Sequence, residues 1–304
     1  MLSLSKHRAL PAPLDGLNRG ALAGQAPLGY LWAMPELPEV ETTVRGLARV
    51  LEGRRIERVE VRRADLRRAF PPDLAQALTG ATVTGLSRRA KYGIIHTDRA
   101  CSLVFHLGMS GRWRIDPAAL DRHDHLVLET ASHRLALNDA RRFGSVDLVD
   151  EAGLEDWHAF KALGPEPLGE DLTPALLRAA TKGRKPAIKL LLLDQRVVAG
   201  LGNIYVCEAL WRARIDPRKP AAKVSGPQLE RLVPAIRDVL KQSIADGGST
   251  LRDFAQPDGE LGYFASRFDV YGREGAPCRH DDGGTVQRVV QGGRSTWFCR
   301  KCQR

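Results

Sequence analysis

The stretch Met34-Pro35-Glu36-Leu37-Pro38-Glu39-Val40-Glu41-Thr42-Thr43-Val44-Arg45-Gly46-Leu47 marks an abrupt change in character. Pro38 with the acidic Glu39 and Glu41 suits a first helical turn. Val40, Val44, Leu47 and Leu51 recur every three or four residues and Gly53 ends the pattern, which predicts an amphipathic helix. The preceding residues 1–33 carry Pro11, Pro13, Gly16, Gly20 and Gly24 and show neither strand alternation nor a helical period. They contain no compact apolar run that would serve as a signal-peptide core. The folded chain is therefore expected to begin at Met34, with 1–33 a non-native or disordered extension from a mis-assigned start.

Downstream, Arg55–Val61, Ala81–Leu86, Gly93–His96, Ser102–Leu107, His125–Glu129 and His133–Leu137 are short, rich in Val, Ile and Leu, and separated by turn residues. They predict a β-sandwich or barrel over 34–152. Gly164-Pro165-Glu166-Pro167 sits in a predicted hinge, 153–169. Helical spacing returns at Pro174–Thr181, Ile188–Leu193, Asn203–Trp211 and Pro227–Asp246, within a second domain at 170–265, and a hairpin of short strands closes the chain at 266–304. The class is α+β.

The chain has 304 residues, 43% of them hydrophobic and 27% charged, which excludes collagen, coiled coil and wholesale disorder. No apolar run approaches the 18 or more residues of a membrane span, so no membrane partner is expected. A net charge of +10 favours polyanionic partners by steering and counterion release, nucleic acid first among them. Of the 46 basic residues only 10 are lysines, so a lysine within a motif stands out.

Several groups carry chemistry. A proline at a true amino terminus is a secondary amine; with a pKa near 8, roughly 10% is neutral at pH 7, far more than of an ordinary lysine. Pro35 fits that role and Glu36 beside it fits a general acid, although both could simply shape a helix entry. Arg88-Arg89-Ala90-Lys91-Tyr92 puts a lysine at a strand start, within reach of a phosphate or sugar. His106-Leu107-Gly108-Met109-Ser110-Gly111 and Asp139-Ala140-Arg141-Arg142-Phe143-Gly144 read as turns whose Met109, Arg141 and Phe143 could wedge into a base stack. His123 precedes a strand in a hydrogen-bonded loop, and Asn203 reads as the cap of a helix aimed at phosphate.

Five cysteines at irregular spacing suit a reducing compartment. Cys299-Arg300-Lys301-Cys302 is a two-residue knuckle and Cys278 lies 21 positions before it, three of the four ligands of a structural Zn2+. Position 281, where a fourth cysteine would fall, is Asp. His280 is the first choice for the fourth ligand, with Asp281 and Asp282 behind it.

Taken together and in order, the motifs at 34–42, 88–92 and 106–111, with Arg-Arg-Phe-Gly at 141–144, Leu-Gly-Pro-Glu-Pro-Leu at 163–168, Gly-Asn-Ile-Tyr at 202–205 and Gly-Arg-Ser-Thr at 293–296, resemble bacterial formamidopyrimidine-DNA glycosylase. The resemblance implies a β-sandwich with flanking helices, a helix-two-turn-helix domain and a zinc-finger hairpin. It implies an enzyme that flips an oxidised purine from the duplex and excises it. Pro35 would be the Schiff-base nucleophile and Glu36 the acid; Lys91 would serve the lyase step and Arg294 the second elimination. Met109, Arg141 and Phe143 would fill the gap in the stack, His123, Arg184 and Asn203 would hold phosphates, and Glu39 would line the substrate and DNA site. A monomer in the bacterial cytoplasm, bound to damaged double-stranded DNA, is implied. Pro35 in mid-chain is an amide without a nucleophilic lone pair, so the resemblance requires Met34 to be the start and to be removed. Two alternatives stay open: an endonuclease VIII-like enzyme acting on oxidised pyrimidines, and a non-catalytic DNA-binding module.

Overall fold

In chain order the elements are α1 (Leu37–Leu51), β1 (Arg58–Val61), α2 (Leu74–Leu78), β2 (Val83–Arg89), β3 (Tyr92–Thr97), β4 (Cys101–His106), β5 (Arg112–Ile115), β6 (Asp124–Glu129), β7 (Arg134–Asn138), β8 (Ser145–Asp150), α3 (His158–Lys161), α4 (Pro174–Thr181), α5 (Ile188–Leu192), α6 (Asn203–Arg212), α7 (Gly226–Ala245), β9 (Val286–Gln291) and β10 (Arg294–Cys299). This computed structural model describes residues 34–249, 257, 259 and 262–304; the extension expected at 1–33 lies outside the described residues.

The first helix forms as its sequence dictates. Pro38 occupies the first turn, where no amide hydrogen is needed, and the Glu36 amide donates to the Glu39 carboxylate at 2.9 Å. Val40, Val44, Leu47 and Leu51 are all buried, and Gly53 leaves the helix at φ 73°.

Two four-stranded antiparallel sheets follow, ordered β1-β6-β7-β5 and β2-β3-β4-β8. Leu103 and Phe105 of one sheet meet Trp113, Leu126, Leu128, Leu135 and Leu137 of the other, and the apolar stripe of α1 packs into the same core. The Phe105 and Trp113 rings lie edge to face at 5.6 Å. Strands β5 and β8 carry too little apolar alternation to stand out in sequence: Arg112 and Arg114 flank Trp113, and Asp147 and Asp150 interrupt β8. The segment expected as a hinge is more than a linker, because Leu154 and Phe160 pack on Ile94, Val104 and Val149.

Helix α4 begins as predicted, with the Thr173 hydroxyl accepting from the Leu176 amide at 3.1 Å. Helix α6 is capped by Gly202, and Asn203 is its first helical residue rather than its cap. Strands β9 and β10 pair through a Gly292-Gly293 turn with φ 54° and 73°, the doubly left-handed geometry that glycine permits.

Two buried charges tie the carboxy-terminal elements together. The Lys189 ammonium of α5, fully buried, donates to the Ser295 carbonyl at 3.1 Å and the Thr296 hydroxyl at 2.6 Å of β10. The Glu208 carboxylate of α6 accepts from the backbone amides of Asp269, Val270 and Tyr271 at 2.9, 3.0 and 2.8 Å. Burial pushes the Glu208 carboxyl up to about 7 despite these donors. Truncation to alanine would leave three buried amide donors unpaired, at ~1–3 kcal/mol each when nothing replaces the acceptor. Glu208→Ala is expected to lower the urea unfolding free energy by at least ~3 kcal/mol, whereas a loss under ~1 kcal/mol would show that water replaces the carboxylate.

Candidate active site

Glu36 and Pro35 precede α1, and both are buried. The Glu36 carboxylate is directed at the amino terminus of α6, accepting from the Ile204 amide at 2.9 Å and the Tyr205 amide at 3.5 Å. Such an end offers unpaired N–H donors and a positive dipole. A side chain at Gly202 would collide with this carboxylate, so glycine is required there. Burial nevertheless dominates and raises the Glu36 carboxyl to about 7, with Lys91 and the two amides opposing the rise. Near neutrality Glu36 is thus able both to hold a proton and to release it.

Lys91 immediately precedes β3, in the turn after β2, and is 8% exposed. Burial lowers its pKa first, Arg294 lowers it further, and the Glu36 charge works against both. The turn that presents it is fixed from outside: Ala90 has φ 53°, and its amide donates to the Glu166 carboxylate at 2.5 Å. Arg88 and Arg89 also bond that carboxylate, at 2.8 and 3.0 Å. A left-handed alanine persists only where its surroundings over-determine it. Arg294 follows the glycine turn at the start of β10 and is itself exposed. The structure therefore brings Pro35, Glu36, Lys91 and Arg294 into one locality.

Met109, Arg141 and Phe143 occupy two turns held together by one carboxylate. Asp139, fully buried, accepts from the Ser110 hydroxyl at 2.6 Å and the Gly144 amide at 2.8 Å. The Ser110 oxygen in turn accepts from the Arg141 amide at 3.1 Å. Any side chain on Gly108 would strike the Phe143 and Gly144 backbone, so the turns touch. Phe143 is 44% exposed, with the Arg141 guanidinium 5.0 Å from its ring centroid. An exposed phenylalanine on a rigid turn is a ready wedge. A groove lined by Arg67, Arg68, Tyr92, His106 and His158 runs beside it.

The remaining expected residues divide. Asn203 donates its amide to the Ser295 carbonyl at 2.9 Å, at the junction of α6 and the hairpin. The His123 ring accepts from Arg122 Nε at 3.0 Å on the sandwich, and Arg184 is exposed after α4. Glu39, which the resemblance places at the DNA site, is buried, and its carboxylate takes the Tyr205 hydroxyl at 2.5 Å and the Ser249 amide and hydroxyl at 2.8 and 2.7 Å. Those partners lie far along the chain, so periodicity could not reveal them. Lys189 and Glu208 were not singled out in the sequence; the scarcity of lysine was the one signal that pointed toward Lys189.

In the hairpin, the side chains of Cys278, Asp282, Cys299 and Cys302 present ligand atoms all within 4.8 Å of one another. His280, the expected fourth ligand, stacks on Trp211 at 3.8 Å with 14° between the rings. Asp281 is exposed. No helix among the described residues is long and apolar enough to cross a membrane.

Residues 34–146 match the formamidopyrimidine-DNA glycosylase N-terminal domain, and residues 163–255 match the formamidopyrimidine-DNA glycosylase H2TH domain. The chain is 68% identical over 271 residues to the formamidopyrimidine-DNA glycosylase of Erythrobacter litoralis, covering 89% of this chain and all of that protein. It is 70% identical over 272 residues to that of Novosphingobium aromaticivorans, with the same coverage. Among solved structures, the Lactococcus lactis Fpg in complex with abasic-site DNA superposes with a TM-score of 0.82 at 36% identity, over 89% of this chain and all of that one. The Thermus thermophilus MutM (Fpg) protein does so with a TM-score of 0.80 at 39% identity, over 88% and 98%. The chain thus belongs to the formamidopyrimidine-DNA glycosylase family.

Proposed function

We propose that this chain excises oxidised purines, formamidopyrimidines and 8-oxoguanine, from double-stranded DNA and cleaves the resulting abasic site by β,δ-elimination. The observation that carries the reading is the burial of Glu36 next to Pro35, with its carboxylate on the Ile204 amide of α6 and within electrostatic reach of Lys91. The amine of Pro35 attacks C1′ of the flipped nucleoside, the C1′ bond to the base breaks, and the base leaves with the proton that the Pro35 nitrogen sheds. Glu36 donates its proton to the sugar ring oxygen, the ring opens, and the C1′–N bond becomes an iminium. Loss of a proton from C2′ then expels the 3′ phosphate, and a second elimination expels the 5′ phosphate. Lys91 contacts the DNA beside the lesion and serves the first elimination; Arg294 contacts the backbone and assists the second. Met109, Arg141 and Phe143 occupy the vacated stack, offsetting part of the unstacking cost of a few kcal/mol. His123, Arg184 and Asn203 hold phosphates.

This chemistry needs a free Pro35 amine, so we propose that the active protein begins there, with Met34 removed. The break in sequence character at Met34 supports this start, as do the family match beginning at residue 34 and the full-length match of a relative to 89% of the chain. The domains are then a sandwich over 34–152, a hinge at 153–169, a helix-two-turn-helix domain at 170–265 and a hairpin at 266–304. One Zn2+ held by the hairpin cysteines would brace β9 and β10 as a structural ion; three thiols and a carboxylate suit that metal. The enzyme acts as a monomer in the cytoplasm.

Borohydride trapping on a duplex carrying 8-oxoguanine opposite cytosine is expected to leave a covalent adduct that peptide mapping places on Pro35. Folded, DNA-binding protein without an adduct would reject the mechanism, and trapping only on oxidised pyrimidines would reject the purine assignment.

Glu36 must be protonated to act, and its form as an acid is lost as pH rises through about 7. Excision is therefore expected to decline on the alkaline side of neutrality. Glu36→Gln is expected to lower the single-turnover rate by about 10²–10⁴ and to abolish that decline; a variant retaining the same alkaline limb would assign it to another group.

A further inference from the structure

We propose that the hairpin's metal ligands are Cys278, Asp282, Cys299 and Cys302, a site of three thiolates and one carboxylate in which Asp282 replaces a cysteine that this chain lacks. The inference rests on the zinc reading above and deepens it. With Zn–S near 2.3 Å and Zn–O near 2.1 Å, a tetrahedral ion spaces its ligands about 3.8 Å apart for sulfur pairs and about 3.6 Å for sulfur and oxygen. Cys278 and Cys302 Sγ are 3.8 Å apart, and Cys299 Sγ lies 3.6 Å from Asp282 Oδ2. These two edges match a zinc tetrahedron, and all four ligand atoms lie within 4.8 Å of one another.

The loop is built for the longer spacing. Asp281, in the place of the missing cysteine, takes φ 51° and is exposed, so the chain turns once more before Asp282. Aspartate tolerates that left-handed conformation better than most residues. The Gly284 amide then fixes the Asp282 carboxylate by donating to Oδ1 at 2.7 Å. A Cβ on Gly284 would sit 2.6 Å from Cys299 Sγ and 2.8 Å from Asp282 Oδ1, so glycine keeps the cradle open.

The residue that sequence favoured has other work. His280 lies flat on Trp211, with Nδ1 3.4 Å from Cys302 Sγ. The Trp211 indole N–H donates to Cys278 Sγ at 3.4 Å. Trp211 and His280 thus support the sulfurs from outside, as hydrogen-bonding neighbours of metal thiolates do, and they dock the site on α6.

The test uses the purified full chain in reducing buffer, with zinc content by elemental analysis, the absorption spectrum after cobalt(II) exchange, and the rate of zinc transfer to a chromophoric chelator. Unmodified protein is expected to hold one zinc per chain and to give a cobalt spectrum of three sulfur ligands. Asp282→Ala is expected to change that spectrum and speed zinc transfer at least about tenfold. His280→Ala is expected to keep the spectrum. Where circular dichroism shows Asp282→Ala unfolded, Asp282→Cys decides: it is expected to strengthen the sulfur-to-cobalt band and slow zinc loss. A cobalt spectrum indifferent to Asp282→Cys, or one lost in His280→Ala, overturns the ligand set while leaving zinc in place. Protein with neither zinc nor cobalt uptake overturns the zinc reading with it, and DNA cleavage enters neither result.

Discussion

The organisation of this molecule turns on one buried carboxylate at a helix end. Glu36 lies in the sandwich domain by sequence, yet its acceptors are satisfied by the first amides of α6, some 168 residues away. A charge removed from water needs compensation, and the nearby Lys91 together with the unpaired donors of a helix terminus supply it. The compensation is partial, since burial still holds the carboxyl near 7. That balance is itself useful. Glu39, one turn on, repeats the device with Tyr205 and Ser249, so α1 is fastened to the helical region by two carboxylates. The glycines follow from the same constraint: Gly202 leaves room for the Glu36 carboxylate, and Gly200, at φ 80°, admits Leu37.

Around this acid the chain gathers cations rather than neutralising it with one. Lys91, Lys189 and Arg294 come from the β2–β3 turn, α5 and β10, and the pKa of each lysine is lowered by burial and by the arginine. Mutually repelling cations are unstable by themselves, so each is fixed by its own neighbours. Glu166 fixes the turn before Lys91, and Lys189 is bound by hairpin oxygens. A concentration of positive charge held against its own repulsion is poised for an anionic backbone.

How much of this could be read in the sequence depended on whether a feature was local. Helix α4 came out residue for residue because Thr173, Pro174 and the apolar period all lie within one segment. The strands with continuous Val, Ile and Leu were legible, whereas β5 was hidden because its single buried anchor, Trp113, stands between two arginines. At the site, Pro35, Glu36 and Lys91 are visible as motif residues, whereas nothing near Glu39 in sequence announces its partners Tyr205 and Ser249. For the fourth ligand, spacing alone leaves His280, Asp281 and Asp282 as neighbours in one short loop and does not separate them. The placement of Asp282 depends on a left-handed Asp281 and on the stack of His280 against Trp211, neither of which spacing can report.

The two turns at 108–111 and 139–144 show what the proposed insertion into a base stack would require of the free protein. Leaving Phe143 44% exposed forgoes hydrophobic stabilisation in the free protein, and Arg142 beside it sits at φ 58°. Both are costs to the free state, carried by the Asp139 network that clamps residues 108–111 against 139–144. If these turns were floppy, ordering them would consume binding free energy at the moment unstacking already costs a few kcal/mol. Holding them in advance shifts that cost to folding, where a fully buried aspartate with short hydrogen bonds absorbs it. The same reasoning covers Ala90 before Lys91. In both places an unfavourable backbone conformation is braced by a buried or half-buried carboxylate, Asp139 from within its own turn and Glu166 from a distant segment, so that the side chains proposed to meet DNA are positioned in the free protein.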